Sequence, residues 1–167
     1  MFTINIHTLN LVYLLLGSNT GDSRTILTVA AELIQETIGE ITSLSSLYQT
    51  EPWGNKNQAP FLNQVVLVET NLSAEEVLQD ILKIEKSQGR VRIERWAPRT
   101  LDIDILYYNL DIIVKQDLKV PHAELHNRKF TLFPLTEIAP DFIHPIYNLT
   151  NKELLERCKD DSAVKKV

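Results

Sequence analysis

The residues best suited to chemistry lie between Gly89 and Tyr108, where the sequence reads GRVRIERWAPRTLDIDILYY. Within it, the alternation in TLDIDILYY is typical of a β-strand that places Asp102 and Asp104 on one face and apolar residues on the other. At roughly 3.3 Å rise per residue, the Cα atoms of the two aspartates lie about 6–7 Å apart. That separation suits one metal ion between the carboxylates, or two ions about 3.5–4 Å apart as in two-metal catalysis. The alternative is a solvated strand face balanced by nearby arginines.

A basic segment directly precedes these aspartates. Guanidinium groups bind phosphate oxygens through paired hydrogen bonds, so the chain brings together both signs of charge that a phosphoryl-transfer site needs. Gly89 and Pro98 interrupt the segment, which predicts an arm able to close over a polyphosphate. Its chemistry-bearing members are Arg90, Arg92, Arg95, Trp96 and Arg99.

A polar loop, YQTEPWGNKNQAP, precedes Phe61 and Asn63. An asparagine side chain offers both a donor and an acceptor to a heterocycle with an amide-like edge, and a phenylalanine ring can stack on that heterocycle. The structural alternative makes Phe61 a core residue and Asn63 the start of a strand. The sequence does not choose between them.

Three further segments carry candidate ligand contacts. In VPHAELHNRKF, His122 and Arg128 are suited to phosphate, although a lone histidine is more often structural. Glu85, near a helix end, either orients an arginine or is solvated. The GSN sequence at 17–19 is either a tight turn or a place where the backbone approaches a ligand, and it matches neither the Walker A nor the GxGxxG pattern.

The elements that would position these residues follow the order β-α-β-β-α-β, which predicts an α+β fold with a ferredoxin-like core. Strands are expected at Leu11–Leu16, Ile41–Tyr48, Asn63–Thr70 and from Thr100. Helices are expected from Asp22 to about Ile38, where Gly39 stops the helix, and from a Ser73–Glu76 capping box to just before Gly89. A small hairpin should turn near Asn109 into Asp111–Val114, and two helices should follow, near Phe130–Ile138 and after a Thr150–Glu153 cap.

Composition limits the class of protein. The 167 residues, 44% hydrophobic and 23% charged, fit one domain, predicted over residues 11–167 after an N-terminal extension at 1–10. The net charge of −5 argues against nucleic acid or an anionic membrane as partner. A single cysteine excludes an internal disulfide. With no apolar run long enough to span a bilayer and no signal-peptide pattern, we expect a cytoplasmic protein.

Taken together, several motifs resemble those of the 6-hydroxymethyl-7,8-dihydropterin pyrophosphokinase family of folate biosynthesis. The motifs GSN, YQTEPWG, FLN, GRVR, RWAPRTLDIDIL, VPH and NRKF occur in the family's order over about residues 11–142. The resemblance implies a ferredoxin-like α+β fold, two Mg²⁺ ions, and transfer of the β,γ-pyrophosphoryl group of ATP to the hydroxymethyl of the pterin with release of AMP.

The same resemblance assigns roles to individual residues. Asp102 and Asp104 match the metal ligands, while Arg90, Arg92 and Arg99 match arginines that act on the phosphates. The pterin site would comprise Thr50, Trp53, Phe61, Asn63 and Phe130, with the two phenylalanines on either side of the ring. The ATP site would comprise Glu85, Trp96, Arg99, Ile105, His122 and Arg128, with Ile105 near the adenine.

Two departures from the family pattern concern the arm alone. Ala97 replaces a common glycine, and the stretch from Arg92 to Trp96 is one residue shorter than in some members. Two other functions compete: a ferredoxin-like RNA-binding module, which the paired aspartates disfavour, and a Mg²⁺-dependent phosphohydrolase, which lacks an evident water-activating set. A monomer, or at most a weak dimer, is expected.

Overall fold

The computed structural model describes residues 8–51, 57–89 and 100–167. The strands are β1 (Asn10–Ser18), β2 (Glu40–Leu44), β3 (Tyr48–Thr50), β4 (Phe61–Thr70), β5 (Asp102–Tyr108), β6 (Ile113–Val114), β7 (Lys119–Val120) and β8 (Val164–Lys166). The helices are α1 (Ser23–Thr37), α2 (Ala74–Ser87), α3 (Lys129–Ile138) and α4 (Asn151–Arg157), with a 3-10 turn at Leu125–Asn127.

Six strands form the main sheet in the order β5-β1-β4-β3-β8, and β2 pairs with β4 alongside β3. Strand β1 is antiparallel to both of its neighbours, β4 and β5. This is the ferredoxin-like arrangement, so the predicted fold class is confirmed. It places the aspartate-bearing strand β5 beside β1, with β4 on the other side of β1.

Both faces of the sheet are covered, because β1 is apolar on both sides. Leu14 and Leu16 are fully buried against α1 and α2 in a first core cluster. Tyr13 and Leu15 belong to a second cluster on the opposite face, with the apolar residues of α3 and α4. A strand buried on both faces reads as a continuous apolar run, which is what LVYLLL is.

The two core helices begin where the sequence predicts. Asp22 caps α1 by accepting a hydrogen bond from the backbone N–H of Thr25 at 3.2 Å. Ser73 and Glu76 form a complete capping box at the start of α2. After α1, Gly39 is required by close contact, because a Cβ there would lie 2.1 Å from the backbone oxygen of Glu69.

The strand predicted over Ile41–Tyr48 is wrong as a single element, because the chain leaves the ladder at Ser45. The Ser45 hydroxyl accepts a hydrogen bond from Val65 N at 2.9 Å, and the Ser45 carbonyl accepts from the Gln64 side chain at 2.8 Å. The Ser45 side chain thus accepts a hydrogen bond that a strand carbonyl would otherwise accept, and the segment divides into β2 and β3. Only β3 leads towards the candidate site.

The predicted hairpin is also only partly right. Asn109 does turn the chain, with φ of 49°. However, β6 does not join the main sheet but pairs with β7 in a separate two-stranded sheet. A tight turn between these two strands is closed by a hydrogen bond from Lys115 N to Leu118 O at 2.9 Å. Strand β8 is not predicted from the sequence; it pairs with β3 at the sheet edge. The helices predicted near 130–138 and after Thr150 are confirmed as α3 and α4.

In the described part of the chain, no helix is both long enough and apolar enough to cross a bilayer. The predictions for Trp53, Arg90, Arg92, Arg95, Trp96 and Arg99, and for Ala97 and Pro98, lie outside the described residues.

Candidate active site

The two aspartates of β5 lie on one face of the sheet, as the alternation predicts. Ile103 and Ile105 are 5% and 6% exposed and point into the first core cluster against α1 and α2. Asp102 and Asp104 point the other way and are partly exposed. Their carboxylates are therefore accessible to a ligand on the face opposite the core helices.

Glu85 of α2 fixes the backbone between these aspartates. Its side chain is 3% exposed, and Oε1 accepts a hydrogen bond from the backbone N–H of Ile103 at 2.9 Å. Strand β5 is at the edge of the sheet, so no further strand accepts a hydrogen bond from this N–H. The Glu85 carboxylate accepts it instead. The carboxylate therefore helps set the position of the strand that presents Asp102 and Asp104.

His122 lies beside the aspartates, with Nε2 4.0 Å from Oδ1 of Asp104. Burial, together with the positive charge of Arg128, lowers its pKa to about 4, although Asp102 and Glu124 act in the opposite direction. The imidazole is therefore neutral at neutral pH. Its Nδ1 accepts a hydrogen bond from Glu124 N at 3.2 Å, so the single proton resides on Nε2. His122 thus presents an N–H donor on the side of Asp104.

A glycine separates the acidic strand from a buried amide. Gly17 of β1 pairs with Asp102 on one side and with Asn63 of β4 on the other. Since neighbouring strands are about 4.7–4.9 Å apart, Asp102 and Asn63 stand roughly 10 Å apart across the sheet. A Cβ on Gly17 would lie 3.0 Å from Oδ1 of Asn63 and 4.0 Å from the ring of Phe61. The missing side chain thus lets the Asn63 amide lie close to the backbone of β1.

The Asn63 amide is held in one orientation. Its side chain, 3% exposed, donates from Nδ2 to the hydroxyl of Thr50 at 2.9 Å. Phe61 is on the same face of β4, two residues earlier, and pairs with Thr50 of β3. An amide with a defined orientation next to an aromatic ring is suited to a flat heterocycle with hydrogen-bonding edges.

Phe130 and Arg128 approach from the start of α3. Phe130 is half-buried and packs against the second core cluster. The guanidinium carbon of Arg128 is 5.7 Å from the centroid of the Phe130 ring. Because the charge of Arg128 also acts on His122, the arginine links the acidic part of the site with its aromatic part.

The structure thus groups seven of the predicted site residues on one face of the sheet: Thr50, Phe61, Asn63, Asp102, Asp104, His122 and Arg128. Phe130 borders them. Glu85 contacts the strand backbone, as described above. Ile105 points to the opposite face, so a contact with adenine there would have to involve the backbone of β5.

The GSN sequence, for which a tight turn and a ligand contact were both left open, contributes two residues whose neighbours only the structure reveals. Gly17 matters because it pairs with Asn63 of β4 and with Asp102 of β5, and no local sequence pattern reveals this pairing. Asn19 is 7% exposed and donates from Nδ2 to Gln58 Oε1 and to Ala59 O, both at 3.2 Å. It therefore ties the turn after β1 to the segment that leads into β4, and the GSN sequence was its only signal.

The carboxylates fit a hard divalent cation. Within the described residues, no group of three or more His, Cys, Asp or Glu side chains is arranged to hold a metal. Mg²⁺ is commonly bound by one or two protein carboxylates, with substrate phosphates and water as the other ligands. The pair Asp102 and Asp104 matches that donor set.

Comparison with known proteins agrees with this geometry. The model of the family described as 7,8-dihydro-6-hydroxymethylpterin-pyrophosphokinase (HPPK) matches residues 13–140. The 2-amino-4-hydroxy-6-hydroxymethyldihydropteridine pyrophosphokinase of Aquifex aeolicus is 45% identical over 142 residues, 85% of this chain and 88% of that protein. The Haemophilus influenzae protein with the same name is 38% identical over 154 residues, 92% and 96% of the two chains.

Among solved structures, wild-type HPPK-DHPS of Plasmodium falciparum aligns with a TM-score of 0.72 and 18% identity, over 89% of this chain and 44% of that one. The present chain therefore spans less than half of that protein and shares its fold. The family model and the relatives identify this chain as an ATP-dependent diphosphotransferase, and its fold is ferredoxin-like. More particularly, the chain belongs to the 7,8-dihydro-6-hydroxymethylpterin-pyrophosphokinase family, whose members act in folate biosynthesis.

Proposed function

We propose that this chain transfers the β,γ-pyrophosphoryl group of ATP to the hydroxymethyl of 6-hydroxymethyl-7,8-dihydropterin and releases AMP. Family membership supports the reaction class. The observation that carries the proposal is the row Asn63–Gly17–Asp102 across three neighbouring strands. It holds an amide suited to a heterocycle and a carboxylate suited to a metal–phosphate complex on one face, about two strand spacings apart.

The acidic half of the site would bind the ATP phosphates. Two Mg²⁺ ions held by Asp102 and Asp104 would offset the negative charge of the phosphate oxygens in the transition state. The Nε2–H group of His122 would donate a hydrogen bond to a phosphate oxygen, and Arg128 would contribute positive charge nearby. Glu85 would contribute to the ATP site indirectly, by holding the backbone of β5 through Ile103.

The amide half would bind the pterin. Asn63, oriented by Thr50, offers its remaining donor and its acceptor to the amide-like edge of the ring. Phe61 and Phe130 would lie on the two faces of the ring, and Thr50 and Trp53 would add backbone contacts. Ordering the acceptor hydroxyl in line with the β-phosphorus would supply much of the rate enhancement.

Residues outside the described ranges complete the proposal through the family resemblance alone. Arg90, Arg92 and Arg99 would offset charge on the transferred and leaving groups, while Trp96 would contact the nucleotide. Within the described residues, the side chain of Ile105 is buried, so its proposed contact with adenine would involve the backbone of β5. Exclusion of water would prevent wasteful hydrolysis of ATP. A cytoplasmic location and a monomer that at most dimerises weakly are proposed alongside, because both fit a small enzyme that uses ATP.

The test is the formation of AMP from ATP and Mg²⁺, with and without 6-hydroxymethyl-7,8-dihydropterin. The proposal requires AMP that depends strictly on the pterin and appears in equal amount with the pyrophosphorylated product. ADP or phosphate release without pterin would instead indicate a phosphohydrolase. ATP binding without turnover would indicate a nucleotide-binding module.

A further inference from the structure

A carboxylate near the end of α3 ties three elements together. Glu137, near the end of α3, accepts hydrogen bonds from Ser46 N at 3.1 Å, from the Ser46 hydroxyl at 2.8 Å and from the Tyr48 hydroxyl at 2.5 Å. Lys166 of β8 is 3.4 Å away and makes an ion pair with it. These bonds join α3 to β3 and to the strand that covers the outer edge of β3.

The charge states strengthen this junction. Burial of the Glu137 carboxyl raises its pKa, but the hydrogen bonds from Tyr48 and Ser46 and the charge of Lys166 outweigh burial and hold the pKa below its ordinary value. Burial, and then the bond to Glu137, raise the pKa of Tyr48 to about 12. At neutral pH, a phenol therefore donates to a carboxylate, which is a stronger bond than one between neutral groups.

Strand β3 connects this junction to the amide half of the site. Tyr48 pairs with Asn63, and Thr50 pairs with Phe61. Thr50 also accepts the hydrogen bond that orients the Asn63 amide. Because β3 has only three residues, its anchors at Ser46 and Tyr48 help to fix the position of Thr50, together with the pairing of Thr50 with Phe61 and Val164.

The same helix carries the other aromatic ring of the proposed pterin site. Phe130 is at the start of α3 and Glu137 is two turns later, a separation of roughly 10 Å along the helix axis at about 1.5 Å per residue. Helix α3 is thus attached to β3 at one end while it presents Phe130 at the other. That attachment, together with the packing of Leu132 and Leu135 in the second core cluster, sets the distance between Phe130 and the pair Phe61–Asn63.

We propose that Glu137 is a positioning residue that sets the width of the heterocycle cleft by anchoring α3 to β3. It contacts no substrate in this proposal and acts through Tyr48, Ser46 and Thr50. The inference rests on the proposed function, because it takes the cleft between Phe61 and Phe130 as the pterin site.

The test compares Glu137→Gln, Tyr48→Phe and the double variant in the AMP assay. Glu137→Gln should raise KM for the pterin by about tenfold while kcat and KM for ATP change less than about twofold, since the loss affects ordering of one substrate. Tyr48→Phe keeps the ring against Phe133, 6.2 Å between centroids, and loses one hydroxyl, so it should give a smaller rise in the same constant. The double variant should be no worse than Glu137→Gln, because both changes remove one shared bond.

Glu153→Gln is the matched control. Glu153 also accepts a backbone hydrogen bond, from Thr150 N at 2.8 Å in the capping box of α4, and this box belongs to no part of the proposed site. The control should lower the melting temperature without changing KM for the pterin.

The outcomes separate this inference from the proposed function. A selective rise in KM for the pterin in the Glu137 and Tyr48 variants supports it. Wild-type protein that makes pterin-dependent AMP, with variants that lose only thermal stability as Glu153→Gln does, overturns the inference and leaves the function intact. Wild-type protein without pterin-dependent AMP overturns both. If Glu137→Gln does not fold, an unchanged KM for the pterin in Tyr48→Phe overturns the inference.

Discussion

At the scale of single residues, the acidic side chains around β5 have different tasks because they differ in exposure and partners. Asp102 and Asp104 are partly exposed on the face of the sheet opposite α1 and α2. Glu85 is 3% exposed and holds the N–H of Ile103. A carboxylate that can reach a ligand suits metal binding, whereas one that accepts a buried backbone hydrogen bond contributes to stability and to the geometry of the strand.

Replacing Asp104 tests its proposed role as a metal ligand. Asp104→Asn should lower pterin-dependent AMP formation by about a hundredfold or more, because several kcal/mol of charge stabilisation by metal is lost. The melting temperature should change little. Asp117→Asn, at an exposed aspartate outside the site, is the control and should be fully active. A folded, fully active Asp104→Asn enzyme would remove this residue from the metal site.

Replacing Glu85 tests the link between α2 and β5. Glu85→Ala leaves the N–H of Ile103 without this acceptor and should lower the free energy of unfolding by about 1–3 kcal/mol. Glu85→Gln keeps an acceptor oxygen and should lower it less. Urea denaturation with both variants measures the difference. Equal losses would show that the hydrogen bond to Ile103 is not the cause.

At the scale of elements, the site depends on which strands are neighbours. Strand β1 contributes mostly apolar residues, yet its glycine stands between the amide of β4 and the carboxylate of β5. Antiparallel pairing on both sides of β1 places Asn63 and Asp102 on the same row. The close approach of the Asn63 amide to Gly17 is a consequence of that register, because a one-residue slip would turn the side chains of a strand to the other face.

Adding a methyl group at Gly17 tests that close approach. In Gly17→Ala, the new Cβ would lie 3.0 Å from Oδ1 of Asn63, so the amide must shift by a few tenths of an ångström. We expect KM for the pterin to rise by about tenfold, with a smaller change in KM for ATP, because a buried amide displaced from its partner loses roughly 1–2 kcal/mol. Steady-state kinetics with each substrate varied separately measures both constants. A larger rise in KM for ATP than in KM for the pterin would argue against Asn63 as the pterin ligand.

At the scale of the whole molecule, a buried histidine gives the fold a sensitivity to acid. His144 is 1% exposed, and its Nδ1 accepts hydrogen bonds from Ile146 N at 3.2 Å and Tyr147 N at 3.3 Å. Burial, reinforced by the charge of His126, lowers the pKa of His144 from 6.5 to about 4. Between these values the unfolded chain binds a proton that the folded protein does not, so stability is lost as the pH falls from 6.5 towards 4.

This pH dependence can be measured by urea denaturation at pH 7.5 and pH 5. The wild-type protein should be less stable at the lower pH. The His144→Asn side chain keeps an oxygen that can accept hydrogen bonds from the same backbone N–H groups, but it does not titrate. The variant should therefore lose less free energy of unfolding between the two pH values than the wild-type protein. An equal loss in both proteins would assign the acid sensitivity to other groups.

The sequence alone determined the α+β class, the order of the core elements and the pairing of Asp102 with Asp104 on one strand face. These features depend on local chemistry: apolar period, helix caps and strand alternation act within a few residues. Helix α2 illustrates this, because its capping box and its apolar face are both legible in the sequence.

Only the tertiary structure decided how the separate motifs meet. Gly17 and Asn63 are neighbours through strand pairing between distant segments, and Glu137 reaches Ser46 and Tyr48 across 91 and 89 positions of the chain. The division of the predicted strand at Ser45 likewise depends on its hydrogen bond with Val65. Such contacts depend on packing free energy summed over the whole fold, so no local pattern in the sequence encodes them.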